Sequence, residues 1–449
     1  MQFITPLDYA LLPFYLAFVY AFAYSHRNRK YPKGHPWRRY YIPGLTVKVF
    51  GAIFIGLIYA YYYKGGDTFN YFYHAMVINS SFDESFNKWV NLLFHIPDIN
   101  DGSYYNYISK MEWYSDPASY TVGAITAGLS AFTFNTYLPT AVLFAFLSFS
   151  GVWALFRTFA SLYPLLVRPI AVAILFIPSV FVWGSGIFKD TVCMFALGWL
   201  TYGVFRFLIQ KDFSLSNILI AVLSFLLIAK VKLYILLGFI PALLMWLLFI
   251  GTQKINNPAS KTLAKFVATV AIIIGFLFFM QRFGQELGRF SLEKVAQTSF
   301  YTRDYIYYVS GEEGSAYDLG DFDPTIEGML SKFPLAVNVT LFRPYVWESK
   351  KIIVVLSAAE ALLFLFVTLK IFFVIGIRKI WTTISTDPTI QFCLIFSIIF
   401  AFAVGISSYN FGTLSRYKIP AMPFYALAII LIYYKNKPIQ KKLVKFLGV

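Results

Sequence analysis

The chain is a succession of continuous apolar runs separated by short polar stretches. About 20 apolar residues cross the hydrocarbon core as a helix. In lipid, only helices and closed barrels satisfy their own backbone hydrogen bonds. A barrel strand alternates apolar and polar residues, and these runs do not alternate, so helices follow. Composition agrees: 58% of the 449 residues are hydrophobic, 13% are charged, and the mean hydropathy is +0.63. That charged share is roughly half that of an ordinary soluble domain.

The reading is an all-α polytopic bundle of about 11 spans (roughly 10–13), forming a single integral membrane domain over 1–449. The candidate spans are 8–24, 44–63, 138–156, 169–183, 191–209, 215–229, 233–250, 266–280, 351–376, 389–406 and 418–434. The first run has no basic segment before it and no small-residue cleavage site, so it reads as a retained span. Cys193 and Cys393 both lie inside apolar runs and read as small core residues.

A net charge of +16 would suggest nucleic acid in a soluble protein. Here the bases sit in short loops, as topology signals do, and no nucleic-acid partner is expected. Arg27, Arg29, Lys30, Lys33, Arg38 and Arg39 fill the first loop. Further clusters are Arg157/Arg168, Arg206/Lys211, Lys254/Lys261/Lys265, Arg378/Lys379 and a tail with Lys435, Lys437, Lys441, Lys442 and Lys445. Placing these in the cytoplasm puts the N-terminus outside and the C-terminus inside. It requires that Ala118–Phe132, rich in small residues, be re-entrant or interfacial; the alternative is a genuine extra crossing, which would invert everything before it or after it. Two long loops, 64–117 and 281–350, then lie outside and should fold as short helices, among them Thr325–Phe333.

Ionisable groups at membrane depth are costly and mark function. Five polar clusters fall on the outer side of this topology. Gly65-Gly66-Asp67 follows a span, and Asp67 fits either a helix cap or a proton acceptor. Gly184-Ser185-Gly186 breaks a run just before Lys189-Asp190. Lys189 at a helix start suits an anion, and Asp190 either orients it, serves as a base, or simply neutralises it. Lys230 and Lys232 lie on an outside turn between apolar stretches, either snorkelling or binding an anion. Arg343, Tyr345, Trp347 and Glu348 precede the span that holds Glu360, which should face the bundle and pair with a base. Arg416 and Lys418 precede the last span. His74 and His95 read as surface residues. Asp318, Asp321 and Asp323 read as a solvated acidic loop that could hold a divalent ion but lacks the remaining EF-hand spacing, so no metal site is assigned.

Three of these patches resemble bacterial glycan-assembly proteins, namely O-antigen or exopolysaccharide polymerases and the related C-type membrane glycosyltransferases. They are Gly66-Asp67-x-x-x-Tyr71 after an early span, Ser185-Gly186-x-x-Lys189-Asp190 at a span start, and Arg416-Tyr417-x-x-Pro420 before the final span. A C-type transferase would usually carry a clearer acidic pair in the first outer loop and often a soluble domain at the end, which tilts the resemblance toward the polymerases. It implies a bacterial inner-membrane protein using an undecaprenyl-diphosphate-linked sugar. Lys189, Lys232, Arg343 and Arg416 would hold the diphosphate, and Asp67 or Asp190 would act on the acceptor hydroxyl. Tyr71, Glu348 and Lys418 are further substrate contacts. Membrane lipids are the other expected partners. Two other classes fit the same residues: a transporter or flippase of an anionic lipid or glycan, and a non-enzymatic membrane scaffold.

Overall fold

The computed structural model describes residues 3–284, 291–310, 315–349 and 352–437. The tail bases Lys441, Lys442 and Lys445 lie outside the described residues. The chain is all-α and polytopic. Among the described residues, eight helices are long and apolar enough to cross a membrane, or nine if one bent pair counts as a span. About 11 were expected, and the differences have physical causes. The run at 169–183 is split into two short helices at Phe176-Ile177, where Pro178 starts the second. The runs at 215–229 and 233–250 are the two helices expected, and they follow one another through a kink at Lys232 (φ −148°, ψ 74°), so Leu215–Thr252 counts once among the eight. The last span is the bent pair, Phe411–Tyr417 and Met422–Asn436, at 68°.

The chain divides into two compact units, Met1–Leu233 and Tyr234–Val449. In the first, α1 (Pro6–Lys30), α2 (Arg38–Leu57), α7 (Tyr137–Leu162), α10 (Lys189–Val204) and the first part of α11 (Leu215–Thr252) are the long apolar helices. The helix α7 is the most buried of them and packs on α1, α2 and α10. Its first turn is tied to α1 by the buried Asp8, whose carboxylate accepts from the backbone N–H of Leu138 at 2.8 Å and of Thr5 at 2.8 Å. Along their length α7 and α10 meet backbone to backbone at Gly151 and Gly198. A Cβ on Gly198 would lie 1.9 Å from the Gly151 carbonyl oxygen. Small residues permit this approach, and close approach is what holds helices together where lipid removes the hydrophobic drive.

The segment 64–117 carries α3 (Asp67–Ser80), α4 (Phe86–Leu93) and α5 (Tyr105–Ile108), and is followed by α6 (Pro117–Ala131). These have their own core, in which Ile78, Leu92, Tyr104, Tyr114 and Tyr120 pack together. At 15 residues, α6 is short of a span. Between α7 and α10 lie α8 (Val167–Leu175) and α9 (Pro178–Trp183). A Cβ on Gly51 of α2 would sit 1.9 Å from the Phe181 carbonyl oxygen, so α9 is seated directly on α2.

The second unit contains α12 (Pro258–Arg282), α13 (Leu292–Ser310), α14 (Ile326–Ser331), α15 (Phe333–Phe342), α16 (Ile352–Ile375), α17 (Ile377–Thr386), α18 (Pro388–Ser408), α19 (Phe411–Tyr417) and α20 (Met422–Asn436). Its core is aromatic, with Trp246 stacked on Phe392 at 4.7 Å and Phe239, Phe396 and Phe424 edge-on around them. Thr325 caps α14 as its N-cap, accepting from Gly328 N–H. Of the expected apolar face over Thr325–Phe333, only Met329 is buried, while Leu330 and Phe333 are exposed.

Candidate functional site

The polar turn Gly184–Phe188 is built by hydrogen bonds that reach across the first unit. The Lys48 ammonium, in the middle of α2 and only 1% exposed, donates to Gly184 O (2.8 Å), Val180 O (3.0 Å) and Ser148 Oγ (3.1 Å). Ser148 Oγ also donates to Gly184 O at 2.6 Å. Lys48 thus occupies the carbonyl end of α9, where a cation meets the negative pole of the helix. No carboxylate is among these partners. On the far side of the turn, Thr191 Oγ donates to Gly186 O at 2.6 Å. A Cβ at Gly186 would press on Ile55 and the Phe188 ring, so a larger residue there requires those side chains to shift.

This turn delivers Lys189 and Asp190 as the first two residues of α10. They do not neutralise one another. The buried Asp190 carboxylate accepts from Lys232 Nζ at 2.5 Å, and both are sealed from solvent, at 1% and 7% exposed. Lys232 reaches it from the break in α11. Lys189 turns the other way and donates to Asp116 Oδ2 at 3.1 Å, with both side chains partly open to solvent.

Asp116 caps α6 from the Ser115-Asp116-Pro117 sequence. Its carboxylate accepts from Ala118 N–H and Ser119 N–H, both at 3.2 Å. Partial burial opposes its ionisation, but the Ser119 hydroxyl, Lys189 and the Ala118 N–H outweigh that and hold the carboxyl below its ordinary range. The N-terminus of α10 has no side-chain cap. A fixed ammonium, a partly exposed carboxylate and an uncapped helix start therefore share one locus.

Asp67 is the first helical residue of α3, and the cap position belongs to Gly66 at φ +121°. Asp67 thus acts on the helix from the first turn, not from the cap. One turn on, Tyr71 is buried against Trp113, three residues before Asp116, with ring centres 5.1 Å apart. On the other side, the Tyr59 ring meets Phe188, the residue before Lys189, at 5.4 Å. The two ends of the Gly65-Gly66-Asp67 turn are therefore anchored to the residues that flank the Lys189–Asp116 pair.

The histidines of this layer are not surface residues, which corrects the sequence reading. His74 is buried and accepts from the Trp113 N–H at 3.5 Å. Burial lowers its pKa to about 4, so it is neutral at physiological pH. His95 is half-buried and stacks on Tyr120 at 3.8 Å; burial first, then Lys230, pushes its pKa down.

Arg343, Glu348, Arg416 and Lys418 belong to the second unit. Arg343 Nε donates to both Glu348 oxygens at 3.1 Å, and its Nη2 also meets Oε1. Glu348 further accepts from Tyr345 N–H at 2.7 Å. The guanidinium lies over the Tyr345 and Phe411 rings. Phe411 opens α19, which Asn410 caps and which carries the half-buried Arg416. Lys418 is buried with no hydrogen-bond acceptor on Nζ among the described residues. The charge acting on it is the buried Glu360 carboxylate of α16. Trp347 is 82% exposed, as an interfacial aromatic would be. Asp321 and Asp323 are exposed, and Arg303 reaches Asp321 at 3.1 Å. No cluster of metal-ligating side chains occurs among the described residues.

Two residues of the site were overlooked in the sequence, Lys48 and Asp116. The first carried a signal, as an ionisable group inside an apolar run. The second had the Asp-Pro helix-start pattern, which marks a cap but not a partner. Replacing Lys48 by Met is expected to cost about 1–3 kcal/mol, since two carbonyls and a hydroxyl lose their donor. The check is the melting temperature of the purified protein; a variant that melts with its parent would show that Lys48 does not hold the turn.

No protein-family model matches the chain, and neither a curated protein nor a solved structure resembles it detectably.

Proposed function

We propose that the protein transfers a sugar from a polyprenyl-diphosphate carrier, as a membrane glycosyltransferase or glycan polymerase working on the non-cytoplasmic face of a bacterial inner membrane. One observation carries this reading: the partly exposed Lys189–Asp116 pair at the uncapped start of α10. In such a transfer the acceptor oxygen attacks the anomeric carbon, the bond to the diphosphate oxygen breaks, and the diphosphate leaves with the bonding electrons. A fixed ammonium at a helix start lowers the energy of that leaving charge. The acceptor proton passes to a carboxylate within hydrogen-bond reach. Both carboxylates hold a lysine, but Asp116 is partly open to solvent and to an acceptor whereas Asp190 is buried, so Asp116 fits this part better. Asp67 remains the other candidate for orienting the acceptor. Lys232 then acts through Asp190 and not on the diphosphate itself.

Membrane vesicles given a labelled polyprenyl-diphosphate oligosaccharide test the proposal. Lys189→Ala and Asp116→Asn should each lower turnover by about 100-fold or more at unchanged protein level, in the range of removing a fixed electrostatic contact or a general base. Arg416→Ala tests the second unit separately. Wild-type turnover in both Lys189→Ala and Asp116→Asn would end the proposal.

A second reading draws on the buried Lys48, Lys418 and Glu360, since charges within the membrane also mark translocation paths. Movement of a lipid-linked saccharide across reconstituted vesicles without any new glycosidic bond would favour a transporter.

A further inference from the structure

The far end of the first unit holds a cluster of cations. Lys189 starts α10, and Arg206 lies in the turn that continues it, Phe205–Ile209. At 1.5 Å per residue these are roughly 25 Å apart along the axis. Around Arg206 the ends of α1, α7 and α10 enclose a cavity of about 280 Å³. That is just under the roughly 300–1,000 Å³ of ordinary small-molecule sites, a size for a single small group such as a phosphate. Lys30, Arg157, Arg206, His35, Trp37 and Tyr202 are among the residues that line it, and no acidic side chain does among the described residues.

The three cations differ in how far they are engaged. Arg206 is already held by Asp212 and by Gln210 Oε1. Arg157 has no carboxylate. Its guanidinium lies over the Tyr202 ring at 4.1 Å and the Trp199 ring at 5.3 Å, and its buried Nε–H has no hydrogen-bond partner. Stacking of this kind fixes the plane of the guanidinium; the Tyr31 hydroxyl takes part of its edge, and the remaining N–H groups suit an oxygen ligand. Lys30 is exposed in the last turn of α1 and forms no ion pair among the described residues. The ends of α1, α7 and α10 meet here as carbonyl ends, each worth roughly half a negative charge, while the start of α2 at Trp37 presents its amide end. The carbonyl ends and the positive-inside bias account for the bases of the acid-free 25–43 segment, but not for a cavity in which Arg157 keeps a buried Nε–H without a partner.

We infer that this cavity is a phosphate-binding site, distinct from the Lys189–Asp116 locus and independent of the sugar-transfer reading. Its ligand is a phosphate group set against Arg157 and Lys30, with the aromatic wall of Trp37 and Tyr202 receiving what the phosphate is attached to. Basic pockets between helix ends at a membrane face take anionic lipid headgroups, and free phosphate presents the same oxygens.

Two arms separate those sources, both with the full-length protein. In phosphate-free buffer, native mass spectrometry counts phosphatidylglycerol retained against phosphatidylcholine. In phosphatidylcholine micelles, the melting temperature is followed with sodium phosphate against sodium chloride at equal ionic strength. The wild type is expected to respond in at least one arm, and Lys30→Gln and Arg157→Gln should each weaken that response about tenfold. Loss of phosphatidylglycerol retention identifies a lipid headgroup, and loss of phosphate stabilisation identifies the free anion. Lys30 is exposed, so Lys30→Gln remains informative if Arg157→Gln does not fold. No wild-type response in either arm, unchanged binding in Lys30→Gln, or an equal loss in Lys33→Gln, an exposed base outside the cavity, would overturn the inference.

Discussion

Replacing Asp190 by Asn, or Lys232 by Met, is expected to destabilise the protein by about 3–5 kcal/mol in each case, while the double variant recovers most of the loss. The reason is burial. Both groups are almost fully enclosed, so their pairing is set against a large desolvation cost. Removing one partner leaves the other charged and enclosed, whereas removing both deletes the cost with the benefit. The measurement is the melting temperature of the four proteins in one detergent, read as a double-mutant cycle. Single variants that melt with the parent would mean that the pair contributes nothing. The double variant also separates stability from chemistry. If it folds and still turns over sugar, Asp190 is not the base.

Gly198→Ala should be harsher still, at upwards of about 4 kcal/mol, and should show as loss of folded protein from the membrane. The new Cβ would stand 1.9 Å from the Gly151 carbonyl oxygen. That is roughly 1.5 Å inside ordinary contact, and the obstacle is backbone, which no rotamer change can move. Relief requires α7 and α10 to separate along a face that both helices bury. The control is Gly275→Ala in α12, where nothing lies within 4 Å of the added methyl. Its effect should stay within about 1 kcal/mol and tend toward stabilisation. Equal melting temperatures for the two variants would contradict the close crossing of α7 and α10.

Most of the membrane helices were legible in the sequence because length and continuous hydropathy alone decide whether a segment can cross. What those two properties do not encode is where a helix breaks. The break at Lys232 was legible only from the two lysines between apolar runs, since neither glycine nor proline stands beside it. At 169–183 the apolar run hid a break at Phe176-Ile177. The polar motif at 184–190 was legible as a motif, but its pairing was not. Lys189 meets Asp116 from 73 positions away and Asp190 meets Lys232 from 42, and partners that distant are chosen by the fold rather than by local spacing. Lys48 was visible as a charge in an apolar run, yet the carbonyls it satisfies belong to a turn more than 130 positions further on. The buried His74 shows the same gap: an isolated histidine in a polar-rich segment gives no sign that an aromatic layer will close over it.

The contact between Gly151 and Gly198 also constrains how such a chain can evolve. Lipid-facing positions can exchange one apolar residue for another with little penalty, so overall identity erodes quickly. Two positions 47 apart that tolerate no side chain cannot drift in that way. A remote homologue is therefore better sought by that pair of absent side chains, set ahead of and within the helix that begins Lys-Asp, than by overall similarity.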